Sequence, residues 1–156
     1  MNAIINSHLM KNSYAFGDEV LRLMAKRLLA YNEYPYNACR LGGNTFLLLH
    51  ELDLQQEETD RHVELMKGSL EQVLQVRGQL LYPTCSIGIS SFPRMGETAE
   101  MLIRHADTAL QHAKEAGGNR ISAYTGEDVM ASRRMLFISE ALRDAVRELF
   151  AGLRVS

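Results

Sequence analysis

The chain has 156 residues, a length that fits one domain with a substantial core. Its formal net charge is −2, so the composition gives no indication of a nucleic-acid-binding surface. Apolar runs stay shorter than the roughly 18–20 residues of a membrane-spanning helix, and the N-terminus lacks a signal-peptide pattern. We therefore expect a cytoplasmic protein with no membrane span and no nucleic-acid partner.

The first helix signal follows a weak N-terminal segment that fits only the tail of a strand. Val20, Met24 and Leu28 recur at i, i+4 and i+8, which predicts a helix over residues 17–31. Asp18 lies near the start of this helix, where the helix dipole favours a carboxylate.

A Gly-Gly pair then separates two strand-like runs and predicts a hairpin over residues 36–50. Gly42 and Gly43 both accept the positive φ that a tight turn requires, and they let a phosphate or another backbone approach closely. The two cysteines, Cys39 and Cys85, fall in predicted strands. Free buried thiols are the expected state, and a disulfide is the alternative.

The rest of the chain alternates helices and strands. Apolar periodicity predicts a helix over 56–78, a buried strand over 80–92, a helix over 97–116, a short strand over 120–124 and a further helix over 126–150. Gly78 is interpreted as the stop signal of the helix predicted over 56–78, and Gly117 and Gly118 as that of the helix predicted over 97–116. No metal-ligand spacing is recognisable among the histidines, which are His8, His50, His62, His105 and His112.

Four segments together resemble one known family. They are Gly17-Asp18-Glu19-Val20-Leu21, Arg40-Leu41-Gly42-Gly43-x-x-Phe46, Ser86-Ile87-Gly88-Ile89 and Ala106-Asp107-x-Ala109-Leu110-x-x-Ala113-Lys114-x-x-Gly117. In this order and at these spacings they resemble the GGDEF family, the diguanylate cyclases, over roughly residues 5–125. The resemblance implies an α/β fold, an α+β sandwich in which helices flank a mixed, nucleotidyl-cyclase-like central sheet. Gly88 would mark a close crossing in its core.

The resemblance also implies that most of the first strand is missing. Counting back from Gly17 without gaps puts the family's metal-binding Asp at Met1 and its guanine-reading Asn at Leu9. With an insertion, Ile5-Asn6 would match the family's Ile-Asn instead. In either alignment the strand Asp is absent, so we expect a truncated first strand.

The family's nucleotide-binding positions are retained in part. The positions that the resemblance implies for this role are Gly17, Asp18, Gly42, Gly43, Lys114 and Arg120. Lys114 has a second interpretation as a cation at a helix C-terminus, and Asp18 has one as a helix-dipole partner. The residue after Gly117 is usually Arg in the family and is Gly118 here, so half of the expected triphosphate clamp is absent.

The residues after Gly42 and Gly43 differ from the family's pattern at the two positions where the reaction needs carboxylates. The family reads Gly-Gly-(Asp/Glu)-Glu-Phe, whereas this chain has Asn44 and Thr45, an amide and a hydroxyl. Mg²⁺ needs carboxylates to exchange its waters, so we expect no catalytic residue, no metal ligand and no cofactor; Mg²⁺ and GTP would matter only in a working site. Glu33 and Tyr36 stand where many members carry an inhibitory Arg-x-x-Asp site, so we expect that site to be absent.

The predicted domain boundaries are 1–125 for the degenerate GGDEF domain and 126–156 for a C-terminal helix and tail. Ser139–Ala145 resembles the lead-in to an EAL phosphodiesterase domain. Three hypotheses stay open: a regulatory, dimerising or GTP-sensing module without cyclase activity; an active cyclase joining two GTP molecules; and a structural interaction piece that binds no nucleotide. The expected partners are GTP, a second copy of the chain and an EAL domain.

Overall fold

The structure is a computed structural model and describes residues 4–8, 14–31, 38–50, 56–126 and 143–144. Its elements are β1 (Ile4–His8), α1 (Tyr14–Tyr31), β2 (Ala38–Gly42), β3 (Thr45–Leu48), α2 (Gln56–Leu70), β4 (Leu74–Val76), β5 (Gln79–Leu81), β6 (Thr84–Ile89), α3 (Ala99–Glu115) and β7 (Ile121–Ala123). Five strands form one sheet in the order β2-β3-β1-β6-β7, and β4 pairs with β5 in a separate hairpin. Strands β6 and β7 run parallel and the other neighbours run antiparallel, so the predicted mixed sheet is confirmed.

Helices cover both faces of the large sheet. Alternate residues of β3 and β6 pack on one face against α1 and α2, in a core that includes Met24, Phe46 and Ile87. On the other face Leu47 packs with Leu110 of α3. This two-sided burial explains why every residue of β6 after Thr84 is buried. Within the described part of the chain, no helix combines the length and apolar character required to cross a bilayer.

Strand β1 corrects the expectation that most of the first strand is missing. It spans Ile4–His8 and occupies the centre of the sheet, paired with β3 on one side and β6 on the other. The expectation compared this segment with the family by sequence position alone. Pairing with β3 and β6 on both sides is what makes the short segment a strand, and Ile4–His8 contains no Asp.

Helix α1 confirms the helix predicted over 17–31 and begins three residues earlier. Val20, Met24 and Leu28 are buried along one face, as their spacing indicates. The guanidinium of Arg27 donates hydrogen bonds to the carbonyl oxygens of Leu70, at 3.2 Å, of Gln72 and of Val73, at 2.8 Å. These carbonyls lie at and just beyond the C-terminus of α2, so Arg27 fastens the two helices together.

The helix predicted over 56–78 is correct at its start and wrong at its end, because α2 stops at Leu70. Arg77 and Gly78 both have positive φ, at 49° and 78°, which is the geometry of a two-residue hairpin turn rather than of a helix stop. Leu74 fits the helical stripe in sequence but lies in β4, where alternate residues are buried.

The strand predicted over 80–92 is two strands in different sheets. Strand β5 ends at Leu81, Tyr82 and Pro83 interrupt the run, and β6 begins at Thr84 and ends at Ile89. Proline has no N–H to donate to a ladder, which favours a break at this point over a continuous strand.

Helix α3 confirms the helix predicted over 97–116, and β7 confirms the short strand predicted over 120–124. Thr98, rather than Glu97, caps α3, because its hydroxyl oxygen accepts a hydrogen bond from the Met101 N–H at 3.2 Å. The glycines after Glu115 close the helix as predicted. Glu33 and Tyr36, the positions of the inhibitory site that is expected to be absent, lie outside the described residues. So does the helix predicted over 126–150, apart from Gly126 and two helical residues, Arg143 and Asp144.

Gly88 confirms the predicted close crossing of backbone in the core. A β-carbon built there would lie 2.1 Å from the carbonyl oxygen of Ala106. Strand β6 and helix α3 can therefore pack with their backbones in direct contact only because residue 88 has no side chain.

Candidate functional site

The β2–β3 turn is held in a fixed shape by its own strand. Gly42 and Gly43 have φ values of 140° and 54°, so both glycines adopt the positive φ that was predicted for a tight turn. The guanidinium of Arg40 donates two hydrogen bonds to the carbonyl oxygen of Gly43, at 2.8 and 2.6 Å. A side chain built at Gly43 would meet nothing within 4 Å, so the surface over the turn is open.

One cavity lies on the side of this turn that faces the C-terminus of α3. We name it the lysine cavity; it has a volume of about 470 Å³, and its lining residues are Asn44, Thr84, Ser86, Lys114, Gly117, Gly118 and Asn119. The side chains that line it carry an ammonium, two hydroxyls and two amides. The structure thus brings Asn44 and Lys114 together, although they are far apart in sequence.

The floor of the lysine cavity is a tightly organised loop. Gly117, Gly118 and Asn119 all have positive φ. The hydroxyl oxygen of Ser86 accepts a hydrogen bond from the Asn119 N–H at 3.0 Å, which ties the loop to β6. Lys67 of α2 donates to the Asn119 side-chain oxygen at 2.7 Å, so the loop is supported from two sides.

Arg120 is exposed and is not among the described residues that line the lysine cavity. Its Nε lies 3.4 Å from the carbonyl oxygen of Gly118. Lys114 is therefore the cation of this cavity within the described part of the chain, and Arg120 stands just beyond its loop.

A second cavity lies on the other side of the hairpin, between α1 and β2. We name it the Asp18 cavity; it has a volume of about 330 Å³ and is lined by Asp18, Leu21, Arg22, Ala25, Leu28, Leu29, Ala38, Cys39, Arg40 and Phe46. Three charged residues accompany a largely apolar wall. Gly17 precedes Asp18 on α1, and a side chain built there would meet nothing within 4 Å.

The hairpin links the two cavities. Arg40 and Phe46 contribute to the Asp18 cavity, whereas Asn44, at the tip between them, contributes to the lysine cavity. The structure therefore separates Asp18 from Lys114 but places both beside one rigid turn. An elongated ligand laid across the turn could contact an apolar wall at one end and a cation at the other.

The residues at the turn do not fit a magnesium site. Thr45 is paired across the sheet with Asn6 of β1, so the strand position opposite the turn is also an uncharged residue. Asn44 adds a third neutral residue. Among the described residues no three His, Cys, Asp or Glu side chains gather in a metal-binding group. Mg²⁺ gives up its waters for carboxylates, and this donor set offers none.

Sequence reasoning missed several residues that the structure places in the cavities. Thr84, Ser86 and Asn119 line the lysine cavity, and Arg40 and Cys39 line the other. A signal existed for Ser86, since a hydroxyl inside a strand that is predicted to be buried must have a hydrogen-bond partner.

Neither cysteine has the environment of a reactive thiol. Both are free, as expected. Burial raises the pKa of Cys39 above its ordinary value. Burial, followed by the nearby carboxylate of Glu71, raises the pKa of Cys85 to about 12. Both thiols stay protonated at neutral pH, so the Asp18 cavity contains no nucleophilic thiolate.

Comparison with known proteins gives a consistent result. The family model described as "Diguanylate cyclase, GGDEF domain" matches residues 13–120. The chain is 29% identical over 133 residues to the cyclic di-GMP phosphodiesterase PdeR of Escherichia coli K12, a match that covers 85% of this chain and 20% of that protein. It therefore spans about a fifth of the length of this curated relative.

Solved structures show the same fold. An EAL/GGDEF domain protein from M. capsulatus is 26% identical with a TM-score of 0.67, over 80% of this chain and 84% of that one. The GGDEF domain of a Pseudomonas aeruginosa protein called YfiN or TpbB is 24% identical with a TM-score of 0.71, over 80% and 81% of the two chains.

Proposed function

This chain belongs to the GGDEF domain family, and from that premise we propose that it is a non-catalytic domain that senses GTP in cyclic di-GMP signalling. Its role is then regulatory: nucleotide binding changes how the domain acts on a partner, and no phosphodiester bond is made.

The observation that carries the loss of catalysis is the pairing of Asn6 with Thr45. A dication at the turn would need carboxylates from the hairpin and from the strand beside it. Both strand positions and Asn44 are neutral, so the attraction that would desolvate Mg²⁺ is missing. Without the metal, the 3′-hydroxyl of GTP has no Lewis acid to assist its ionisation.

The two cavities support retained nucleotide binding. The Asp18 cavity offers an apolar wall and a carboxylate, which suits a purine base with N–H donors. The lysine cavity offers the ammonium of Lys114, hydroxyls and amides, which suit phosphate oxygens. Gly118 contributes no side chain, so this grip rests on one cation of the described lining, and we expect weak binding.

We propose domain boundaries of 1–125 for the GGDEF domain and 126–156 for the C-terminal helix and tail; the family match covers residues 13–120. We propose that residues 126–156 lead into an EAL phosphodiesterase domain of a composite protein, because the relative PdeR is named as a phosphodiesterase and one similar structure as an EAL/GGDEF protein. We further propose a homodimer, the arrangement in which a regulatory domain could pass a signal between copies, and a cytoplasmic location.

Calorimetry with GTP tests the binding. Saturable heat is expected from the wild-type chain, and Asp18→Ala or Lys114→Ala should abolish it. Lys26→Ala and Glu64→Ala are matched controls, because each removes the same kind of charge from an exposed helical position away from both cavities. Absence of saturable heat in the wild-type chain would favour an interaction module without nucleotide.

A product assay tests the loss of catalysis. Purified chain incubated with GTP and Mg²⁺ is expected to form no cyclic di-GMP. Clear formation of that product, at a rate proportional to protein concentration, would overturn the proposal in favour of an active diguanylate cyclase.

A further inference from the structure

Lys67, a residue of α2 that the function proposed above does not use, joins this helix to the loop under the lysine cavity. Its Nζ donates hydrogen bonds to both carboxylate oxygens of Glu71 and to the side-chain oxygen of Asn119, each at 2.7 Å. An ammonium has three N–H donors, so these three contacts can occupy all of them. Lys67 is not among the described residues that line the cavity, whereas Asn119 is.

Glu71 is itself fixed to the large sheet. Its Oε1 atom accepts a hydrogen bond from the Cys85 N–H of β6 at 3.0 Å. Strand β7 pairs with β6 from Ile87 onward, and the Ile87 N–H donates to the carbonyl oxygen of Arg120 at 2.9 Å. N–H groups two residues apart along a strand point to the same side. The Glu71 carboxylate therefore takes the place that a carbonyl of β7 would occupy beside Cys85.

These contacts form a ring that holds Asn119 at two points. The Asn119 N–H donates to the hydroxyl of Ser86 at 3.0 Å, and Ser86 directly follows Cys85 in β6. The Asn119 side chain is held, through Lys67 and Glu71, by the residue before Ser86. The side chains of the Lys67–Glu71 pair are only 13% and 23% exposed, so solvent and salt screen this pair less than a surface pair.

The loop contains consecutive residues in an uncommon backbone conformation. Gly117, Gly118 and Asn119 have φ values of 107°, 71° and 51°. The N–H groups of the two glycines return to carbonyl oxygens of Lys114 and Ala113 in α3, at 3.1 and 2.9 Å. The hydrogen bonds of Asn119, by contrast, reach β6 and α2, so they fix the position of the loop relative to the sheet.

We propose that Lys67 is a positioning residue for phosphate binding in the lysine cavity. It holds Asn119, and with it the two glycines, in place beside Lys114. This inference rests on the proposed nucleotide-sensing function and names the group that orders its phosphate end. Without the ammonium, the Asn119 side chain loses its partner in α2, and ligand binding must then include the free-energy cost of ordering the loop.

Calorimetry of the full chain with GTP tests this role. Lys67→Met keeps the aliphatic stem and removes the ammonium. We expect GTP affinity to fall about tenfold, the effect of one lost hydrogen bond from a charged donor. Lys26→Met is the matched control, since it removes an exposed lysine of α1 and should leave GTP affinity unchanged. Wild-type affinity in Lys67→Met overturns the inference alone, whereas absence of saturable GTP heat in the wild-type chain overturns the proposed function as well.

A second variant separates positioning from long-range attraction and guards against misfolding. The double variant Lys67→Met, Glu71→Gln removes the ion pair without changing net charge, and its glutamine oxygen can still accept from the Cys85 N–H. It should fold normally by circular dichroism and still bind GTP about tenfold more weakly than wild type. Recovery of wild-type affinity in the double variant would mean that Lys67 acts through its charge, and would overturn the positioning role.

Amide hydrogen exchange of the same double variant, without ligand, reports on the loop itself. Exchange at the Asn119 N–H should accelerate more than exchange at the amide of Met24, which is buried in α1 and reports on the stability of the core. Equal changes at the two amides would overturn the inference. Guanosine, which has no phosphate, should keep its wild-type affinity, followed by the NMR shift of the Ala25 amide beside the Asp18 cavity. A loss for guanosine as large as that for GTP would indicate general damage and would also overturn it.

Discussion

A β-carbon on Gly88 would lie 2.3 Å from the backbone nitrogen of Leu110, well inside the 3.0 Å that real Cβ contacts respect. The atoms in the way belong to backbone, so no side-chain rotation can relieve the contact. Strand β6 and helix α3 pack as closely as they do because of this one residue.

Gly88→Ala should therefore be among the most destabilising small substitutions in the chain. We expect a loss of about 3 kcal/mol or more in unfolding free energy, because helix and sheet must move apart. Urea denaturation measures it. The matched control is Gly68→Ala in α2, where a new Cβ meets nothing within 4 Å and stability should rise by about 0.5–1 kcal/mol. Equal unfolding free energies of Gly88→Ala and Gly68→Ala would mean that β6 and α3 pack less closely at residue 88 than described.

Removal of the Arg27 guanidinium should loosen α1 from α2. Arg27→Met keeps the aliphatic stem but leaves the carbonyls at the end of α2, including those of Leu70 and Val73, without this donor. We expect a loss of about 1–2 kcal/mol, seen as a lower melting temperature, because hydrogen bonds from a charged donor are replaced by weaker solvation. Lys26→Met, one residue earlier and exposed, should change the melting temperature little. A similar effect of both variants would contradict the fastening role.

Local patterns were sufficient wherever a signal lay within one element. The spacing of Val20, Met24 and Leu28 predicted α1, and the Gly42–Gly43 pair predicted the hairpin turn. The end of α2 could not be found in this way, because Leu74 satisfies both a helical stripe and a strand alternation. Whether Leu74 lies in a helix or in a strand depends on the turn that includes Arg77. Arg77 has a positive φ, a conformation that is uncommon for residues other than glycine.

Contacts between distant segments explain what sequence reasoning missed at the site. The pairing of Asn6 with Thr45 joins two strands that are far apart in sequence, so no local pattern indicates it. The approach of Lys114 to Asn44 depends on the stacking of α3 on the sheet. The resemblance to the GGDEF family indicated both Lys114 and Asn44, whereas Ser86 was interpreted only as part of a strand that packs in the core.

Alkaline pH should destabilise the fold through Cys85. Its pKa rises to about 12 in the folded chain from an ordinary 9.0, mainly because the thiol is buried. The unfolded chain therefore releases this proton first, so the thiol's contribution to stability is complete below pH 9.0 and falls as pH rises towards 12. Unfolding free energies of wild type and Cys85→Ala should converge or cross over that window. A constant difference between them would contradict the raised pKa.

Restoring charge at the turn should create a magnesium site. The variant Asn6→Asp, Asn44→Asp, Thr45→Glu places carboxylates on both paired strand positions and at the tip of the hairpin. Without Mg²⁺ their mutual repulsion should lower the melting temperature; saturating Mg²⁺ should raise it again, by the stabilisation that any ligand selective for the folded state confers, about 2.7 kcal/mol at a hundredfold excess over Kd. The wild-type chain should show no such response. Sodium chloride at equal ionic strength separates binding from screening, because it reduces repulsion without occupying a site. Saturable stabilisation of the wild-type chain by Mg²⁺, or none in the variant, would show that neutral residues at the turn are not what removes the metal.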